Sequence, residues 1–238
     1  MSTNNLYNLL NLLQKMIVYN LRIIFANRFI WFLAGSVVFY LGLSVIYVFD
    51  QDVSNMRDLY GVFLFCGVLL VFYPTAFGIQ NDQDARTIEI LFGIPNYRYK
   101  VWLVRIILIF IIAFLILLVF TFLSSVLIVK FNFVSMTYQV MFPVIFLGMM
   151  AFMLSTVVRN GNGTAVLMII FGLFFMILSN WLEKSQWNVF LNPYEVPWGL
   201  NENTWAIIAF KNRIILAIGS VIYLLIALFN LQKREKFM

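Results

Sequence analysis

The chain has 238 residues, of which 63% are hydrophobic and 11% charged. That is more apolar surface than a soluble domain of this length can bury, so lipid is the implied solvent. Histidine is absent and Cys66 is the single cysteine, which excludes imidazole acid–base chemistry, imidazole metal sites and disulfides within the chain. The net charge of +6 sits at the flanks of apolar runs, where it orients a membrane protein and meets anionic lipid; it does not point to nucleic acid.

In chain order, residues 1–28 come first. Leu6, Leu9, Leu10, Leu13, Met16 and Ile17 recur at helical spacing, with Asn4, Asn8, Asn11, Lys15 and Arg22 on the other face. This predicts an interfacial helix on the inner leaflet; a plain cytosolic extension of the first span is the simpler alternative.

Runs without charge then predict six membrane-spanning helices, at about 29–49, 59–81, 106–129, 139–158, 164–182 and 214–232. The runs are long and continuous rather than alternating, so helices and not barrel strands are expected. The first is too long for a signal-peptide core and lacks a cleavage pattern, and reads as a retained helix. Cys66 falls in an apolar run and reads as a packing residue. Pro74 and Pro143 lie inside the second and fourth spans, as hinges for a gating motion or as static kinks. Glycines within the spans allow close helix contacts. As drawn, the spans carry no ionisable Asp, Glu, Lys or Arg, which weakens a proton-coupled transport mechanism.

Between spans two and three, segment 82–98 holds the densest charge between membrane segments. Asp82 or Asp84 can cap a short helix whose Ala85, Ile88, Leu91 and Phe92 share one face and which Gly93 and Pro95 end. Spans four and five are joined by Arg159-Asn160-Gly161-Asn162-Gly163, a tight turn to which both glycines are assigned. That turn lacks the lysine and the glycine spacing of a phosphate-binding loop. Segment 183–213 is aromatic and broken at Asn192-Pro193 and Val196-Pro197. It reads as a membrane-hugging or re-entrant segment, with an outer aromatic belt as the plainer alternative. Asp50, Asp52, Asp58, Glu183, Glu195 and Glu202 read as solvated loop charges.

Six spans place both termini on one side. With the N-terminus inside, eleven of the basic residues fall on inner segments and five on outer ones, which predicts cytoplasmic termini. The expected fold is an all-α polytopic membrane protein in the cytoplasmic (inner) membrane, with 29–238 as a single six-helix domain.

The stretch Asp84-Ala85-Arg86-Thr87-Ile88-Glu89-Ile90-Leu91-Phe92-Gly93-Ile94-Pro95, followed by Tyr97-Arg98-Tyr99, resembles the segment after the second span in permease subunits of type-2 ABC exporters. Arg86-Thr87-Ile88-Glu89-Ile90-Leu91 matches that family's G-T-x-E-x-L core, with Arg86 where the family often has glycine. Pro95-Asn96-Tyr97-Arg98 matches its end. The layout of the whole chain is similar too. The resemblance implies a coupling helix that docks a separate cytosolic ATPase, since the chain has no Walker-type motif. It implies polar contacts to that ATPase from Asp82, Asp84, Arg86, Thr87 and Glu89, with Ile88, Leu91 and Phe92 packing against the spans or the partner. It also implies a dimer with a second permease copy or a homologous permease. ATP and Mg would belong to the ATPase, with no catalytic, cofactor or metal residue in this chain. Two other functions remain open from sequence: a non-transporting membrane assembly or scaffold protein, and an intramembrane enzyme acting on lipid. The missing histidine and the apolar spans argue against the enzyme.

Overall fold

A computed structural model describes residues 29–49, 55–84 and 98–232. The amphipathic stretch 1–28 and most of the coupling-helix segment lie outside the described residues. The described elements are helices, in the order α1 (Phe29–Phe49), α2 (Met56–Ala76), α3 (Gly78–Asp84), a π-helical turn (Arg98–Leu103), α4 (Val104–Leu127), α5 (Phe133–Val158), α6 (Gly161–Trp181) and α7 (Glu202–Asn230). Six stretches are long and apolar enough to cross a bilayer: Phe29–Phe49, Met56–Asp84, Val101–Leu127, Phe133–Val158, Gly161–Trp181 and Glu202–Asn230.

Five of the six helices run past the ends expected from charge-free runs. The last begins at Glu202 rather than near 214, so residues 202–213 belong to a helix and not to the preceding loop. For the α2–α3 span, α4 and α7 the cause is that a charge does not end a helix when it finds a partner inside the fold; α5 and α6 start early at the asparagine caps Asn132 and Asn160, with no charge in the added residues. Asp82, Arg105 and Arg213 are all buried within spanning helices, which corrects the expectation that the spans carry no ionisable group.

Helix α5 is the central post, packed against α2, α4, α6 and α7, while α1 lies mainly on α2. In the most apolar stretch of the α2–α3 span and of α5, 67% of residues are buried, against 17% for α1 and α6. The two peripheral helices therefore present apolar side chains such as Trp31, Val45, Ile169 and Ile177 outward, as lipid contact requires. Small residues set the close approaches in the centre. Gly67 of α2 faces Val144 and Leu117, and Gly148 of α5 faces Phe110.

Most polar groups in the described interior are paired, as a medium without water demands, the exceptions being Arg105 Nε and Nη2 and Trp205 Nε1. The Tyr40 hydroxyl donates to the Phe120 carbonyl at 3.1 Å and is hydrogen-bonded to the Ser124 hydroxyl at 3.0 Å. Its ring stacks on Phe120 at 4.3 Å. Thr121 and Thr137 join α4 to α5 at 2.7 Å. Cys66 is fully buried beside Ser36, in the packing role expected of it.

Pro74 separates α2 from α3. It has no N–H for the carbonyl of Leu70 and its ring crowds that carbonyl. The chain bends at Phe77 and resumes at once, with Phe77 N–H donating to Tyr73 O at 3.0 Å and Asn81 N–H to Phe77 O at 2.9 Å. Thr75 Oγ1 donates back to Val71 O at 2.7 Å. Pro143 lies inside α5, which runs unbroken around it.

Asparagine starts three helices. The side chains of Asn132, Asn160 and Asn201 accept from the N–H groups of Ser135, Gly163 and Thr204 at the starts of α5, α6 and α7. In the turn between α5 and α6 the left-handed residue is Arg159, with φ 59°, and not a glycine. Gly161 instead lets Phe77 and Gln80 approach the start of α6, where a Cβ would collide with both.

Residues 183–201 form a turn-rich cap over one end of the bundle and contain no helix. Two Asx turns shape it: Asn188 Oδ1 accepts from Phe190 N–H and Asn192 Oδ1 from Tyr194 N–H, each at 3.0 Å. Leu191 is buried beneath it, whereas Trp187 and Trp198 are exposed at its rim. Gly199 holds φ 87°, a conformation that glycine adopts without strain.

Candidate functional site

The two ends of the bundle each carry a buried charged side chain on a different plan. The first is the end where α3 stops and α4 begins. Arg105 Nη1 donates to Asp82 Oδ2 at 2.8 Å, with only 4% and 6% of the two side chains exposed. The guanidinium carbon lies 4.7 Å from the centre of the Trp102 ring, a cation–π contact from the preceding π-helical turn. Because Asp82 ends one span and Arg105 begins the next, this ion pair ties together the two ends of the intervening segment.

Neighbouring contacts extend the tie to a third span. Gln80 Oε1 accepts from the Gly161 N–H at 2.5 Å, joining α3 to the start of α6. Its amide lies 3.5 Å from Asp84 Oδ2. Asn81 meets the Tyr73 hydroxyl at 3.2 Å, and Tyr73 stacks on Phe77 at 5.1 Å. The bend after Pro74 thus sits in a small polar and aromatic cluster joining α2, α3 and α6.

Both ends of the described bundle lie on this side. Phe32 of α1 stacks on Tyr73 at 5.0 Å, and Asn230 at the end of α7 donates to Thr156 at 3.2 Å.

At the opposite end, Arg213 of α7 is 5% exposed. Its Nε donates to Gln139 Oε1 and its Nη1 to Asn212 Oδ1, both at 2.8 Å. Nη2 donates to the Tyr60 hydroxyl at 3.1 Å and to Leu191 O at 3.3 Å. Asn212 holds the cap by donating to the carbonyls of Gln186 and Asn188 at 2.9 and 2.8 Å. Arg57 pairs with Glu195, and Asn192 Nδ2 donates to Arg57 O at 2.9 Å, so the cap is fastened to α2 as well. Burial pushes the Tyr194 hydroxyl in the cap above its ordinary pKa.

Of the residues expected to form the coupling site, Asp82 turns inward to Arg105 and is not presented on the surface. Asp84 is exposed at the end of α3, the last described residue before segment 85–97. Arg86, Thr87, Ile88, Glu89, Leu91 and Phe92 lie outside the described residues. Pro74 adjoins the bend, as a hinge would require, and Pro143 is buried in a continuous helix. The Arg213 node escaped sequence reasoning because Arg213 was counted as a flanking charge. The signal that could have found it is the neighbouring pair Asn212-Arg213 inside an apolar helical pattern. Among the described residues, no group of carboxylates and thiols is placed to hold a metal ion.

These features define an all-helical protein with six candidate membrane spans and a tethered segment after the second. Comparison with protein-family models, curated proteins and solved structures finds no match to this chain.

Proposed function

We propose that the chain is the transmembrane permease subunit of an ATP-driven exporter of the type-2 ABC kind, coupled through segment 82–98 to a separate cytosolic ATPase. The observation that carries this reading is the Asp82–Arg105 ion pair. A segment that receives a mechanical push is useless if slack linkers absorb it. Here its flanks are tied to each other, and through Gln80 and Gly161 to α6. Movement of residues 85–97 would therefore be passed to three spans together, across the bend that follows Pro74.

In this reading Asp84, Arg86, Thr87 and Glu89 meet the ATPase, which supplies ATP and Mg. Ile88, Leu91 and Phe92 pack against the spans or a pocket of the partner. A second copy or a homologous permease completes the path. The chain resides in the cytoplasmic membrane with both termini inside.

The test is co-purification of the full-length chain with a P-loop ATPase and ATP hydrolysis by the complex. Glu89→Lys is expected to lower transport-coupled hydrolysis several-fold while leaving the thermal stability of the membrane domain unchanged. Wild-type coupling and assembly in that variant, or a chain that binds no ATPase, refutes the proposal and returns the scaffold reading.

A further inference from the structure

The Arg213 node has a feature that its hydrogen bonds do not explain. All four acceptors around the guanidinium are neutral, and among the described residues no carboxylate lies within ion-pairing distance. Glu195, in the overlying cap, is taken by Arg57. A buried positive charge without a counter-charge is unfavourable in a low-dielectric setting even when its N–H groups are satisfied. Among the described residues the Arg213 guanidinium is therefore a buried cation matched only by neutral acceptors.

Arg213 also lines a cavity. Together with Gln139, Phe142, Pro193, Phe210 and Ala217 it borders a half-open pocket of about 500 Å³ between α5, α7 and the cap. Phe142 and Tyr138 form a wall shared with a second pocket of about 520 Å³ that runs between α4 and α5. That second pocket has no polar surface and is bordered by Ile107, Phe110 and Phe114 on one side and Ile145 and Met149 on the other. A cationic mouth thus opens beside an apolar groove.

Depth fits the pair to one leaflet. From Ile214 to Gln232 there is no charge, a helical length of about 28 Å, close to the roughly 30 Å of a hydrocarbon core. Arg213 therefore sits at the edge of the hydrocarbon, next to the headgroup layer that holds the phosphates. The groove extends along α5 from Tyr138 to Met149, about 16 Å of helix, which matches the depth of half a bilayer.

We infer that this surface binds an anionic phospholipid of the leaflet at the Arg213 end, with its phosphate at the Arg213 mouth and an acyl chain in the α4–α5 groove. The lipid's net negative charge complements Arg213, which favours it over a zwitterionic neighbour whose own ammonium offsets its phosphate. This inference stands independently of the proposed export function.

The test uses full-length protein in nanodiscs of phosphatidylcholine, with or without phosphatidylglycerol, read by thermal unfolding and by retained lipid in native mass spectrometry. Phosphatidylglycerol is expected to raise the unfolding midpoint by on the order of 5 °C and to remain bound to the released protein. Ala217→Trp fills the mouth from a lipid-exposed position and leaves the four Arg213 hydrogen bonds in place. It is expected to abolish both effects. Arg213→Gln is expected to do the same if it folds; if it does not, Ala217→Trp carries the test alone.

Equal stabilisation by the two lipids, or a phosphatidylglycerol effect that survives in Ala217→Trp, overturns the inference. So does full stabilisation by glycerol phosphate alone, which would mean a headgroup site without a chain site. A dimer released with no bound lipid also overturns it, by assigning the groove to a second copy of the chain.

Discussion

Replacing Asp82 with alanine leaves the Arg105 guanidinium buried without a counter-charge. The two side chains are 6% and 4% exposed, so solvent screens little of the loss. Among the described residues, Arg105 Nε and Nη2 have no hydrogen-bond acceptor. Nη1 is thus the nitrogen that the carboxylate satisfies, and Trp102 offers the cation only its ring face. Removing one partner of such a pair costs about 3–5 kcal/mol, whereas replacing both with apolar residues of similar size is close to neutral. For a chain of this length that corresponds to a fall in unfolding midpoint on the order of 10 °C. Asp82→Ala should show that fall, and the double variant Asp82→Leu/Arg105→Met should recover most of it. Intrinsic tryptophan fluorescence of the full-length protein during a thermal ramp, in one fixed lipid, reads both. A single variant within about 2 °C of wild type, or a double variant as unstable as the single, refutes the ion pair as a structural tie. The stable double variant also separates structure from coupling, because it should fold yet transmit less ATPase-linked movement.

Further expectations follow from packing. A Cβ at Gly67 would lie 2.6 Å from Val144 Cγ2 and 3.0 Å from Leu117 Cδ1, while one at Gly35 would meet nothing within 4 Å. Gly67→Ala should therefore cost about 1–3 kcal/mol and Gly35→Ala nothing; equal midpoints would contradict the close α2–α4–α5 contact. Tyr40→Phe keeps the ring on Phe120 and loses the hydroxyl bonds, so it should cost about 1 kcal/mol. Tyr40→Ala, which empties the site as well, should cost about 3–5 kcal/mol. Pro74→Ala restores an N–H toward the Leu70 carbonyl and should straighten the bend at Phe77. Its thermal midpoint should not fall and coupled transport should drop; unchanged transport would show the bend to be a static kink.

Much of the fold was legible because bilayer physics is blunt. A run of about 20 apolar residues has few alternatives to a spanning helix, and the six runs fall on the six observed helices. The first run, 29–49, is helical throughout its described length and holds no charge. Of the ends that were misplaced, those at Asp82, Arg105 and Arg213 are where a charge is internally compensated, whereas α5 and α6 begin early at asparagine caps with no charge involved. Asp82 and Arg105 are separated by 23 positions, and no local pattern announces that they meet. Arg213 is satisfied by residues from α2, α5 and the cap, which the sequence holds up to 153 positions away. The turn at Arg159 was misattributed for a related reason. Gly161 and Gly163 are the ordinary choice for a left-handed turn residue, but Gly161 is needed where Phe77 presses on α6, a demand made by a different span.

The amino-acid sequence by itself determined the apolar character of this protein and the number of its candidate spans, because each depends on composition summed along the chain. Tertiary structure alone decided which charges are interior. It put Asp82 on Arg105 to brace the segment after span two, and it left Arg213 surrounded by neutral acceptors at the mouth of an apolar groove. The physical reason is range: hydrophobicity acts on any stretch in isolation, whereas the fate of a charge in a low dielectric depends on which atoms stand within about 3 Å of it.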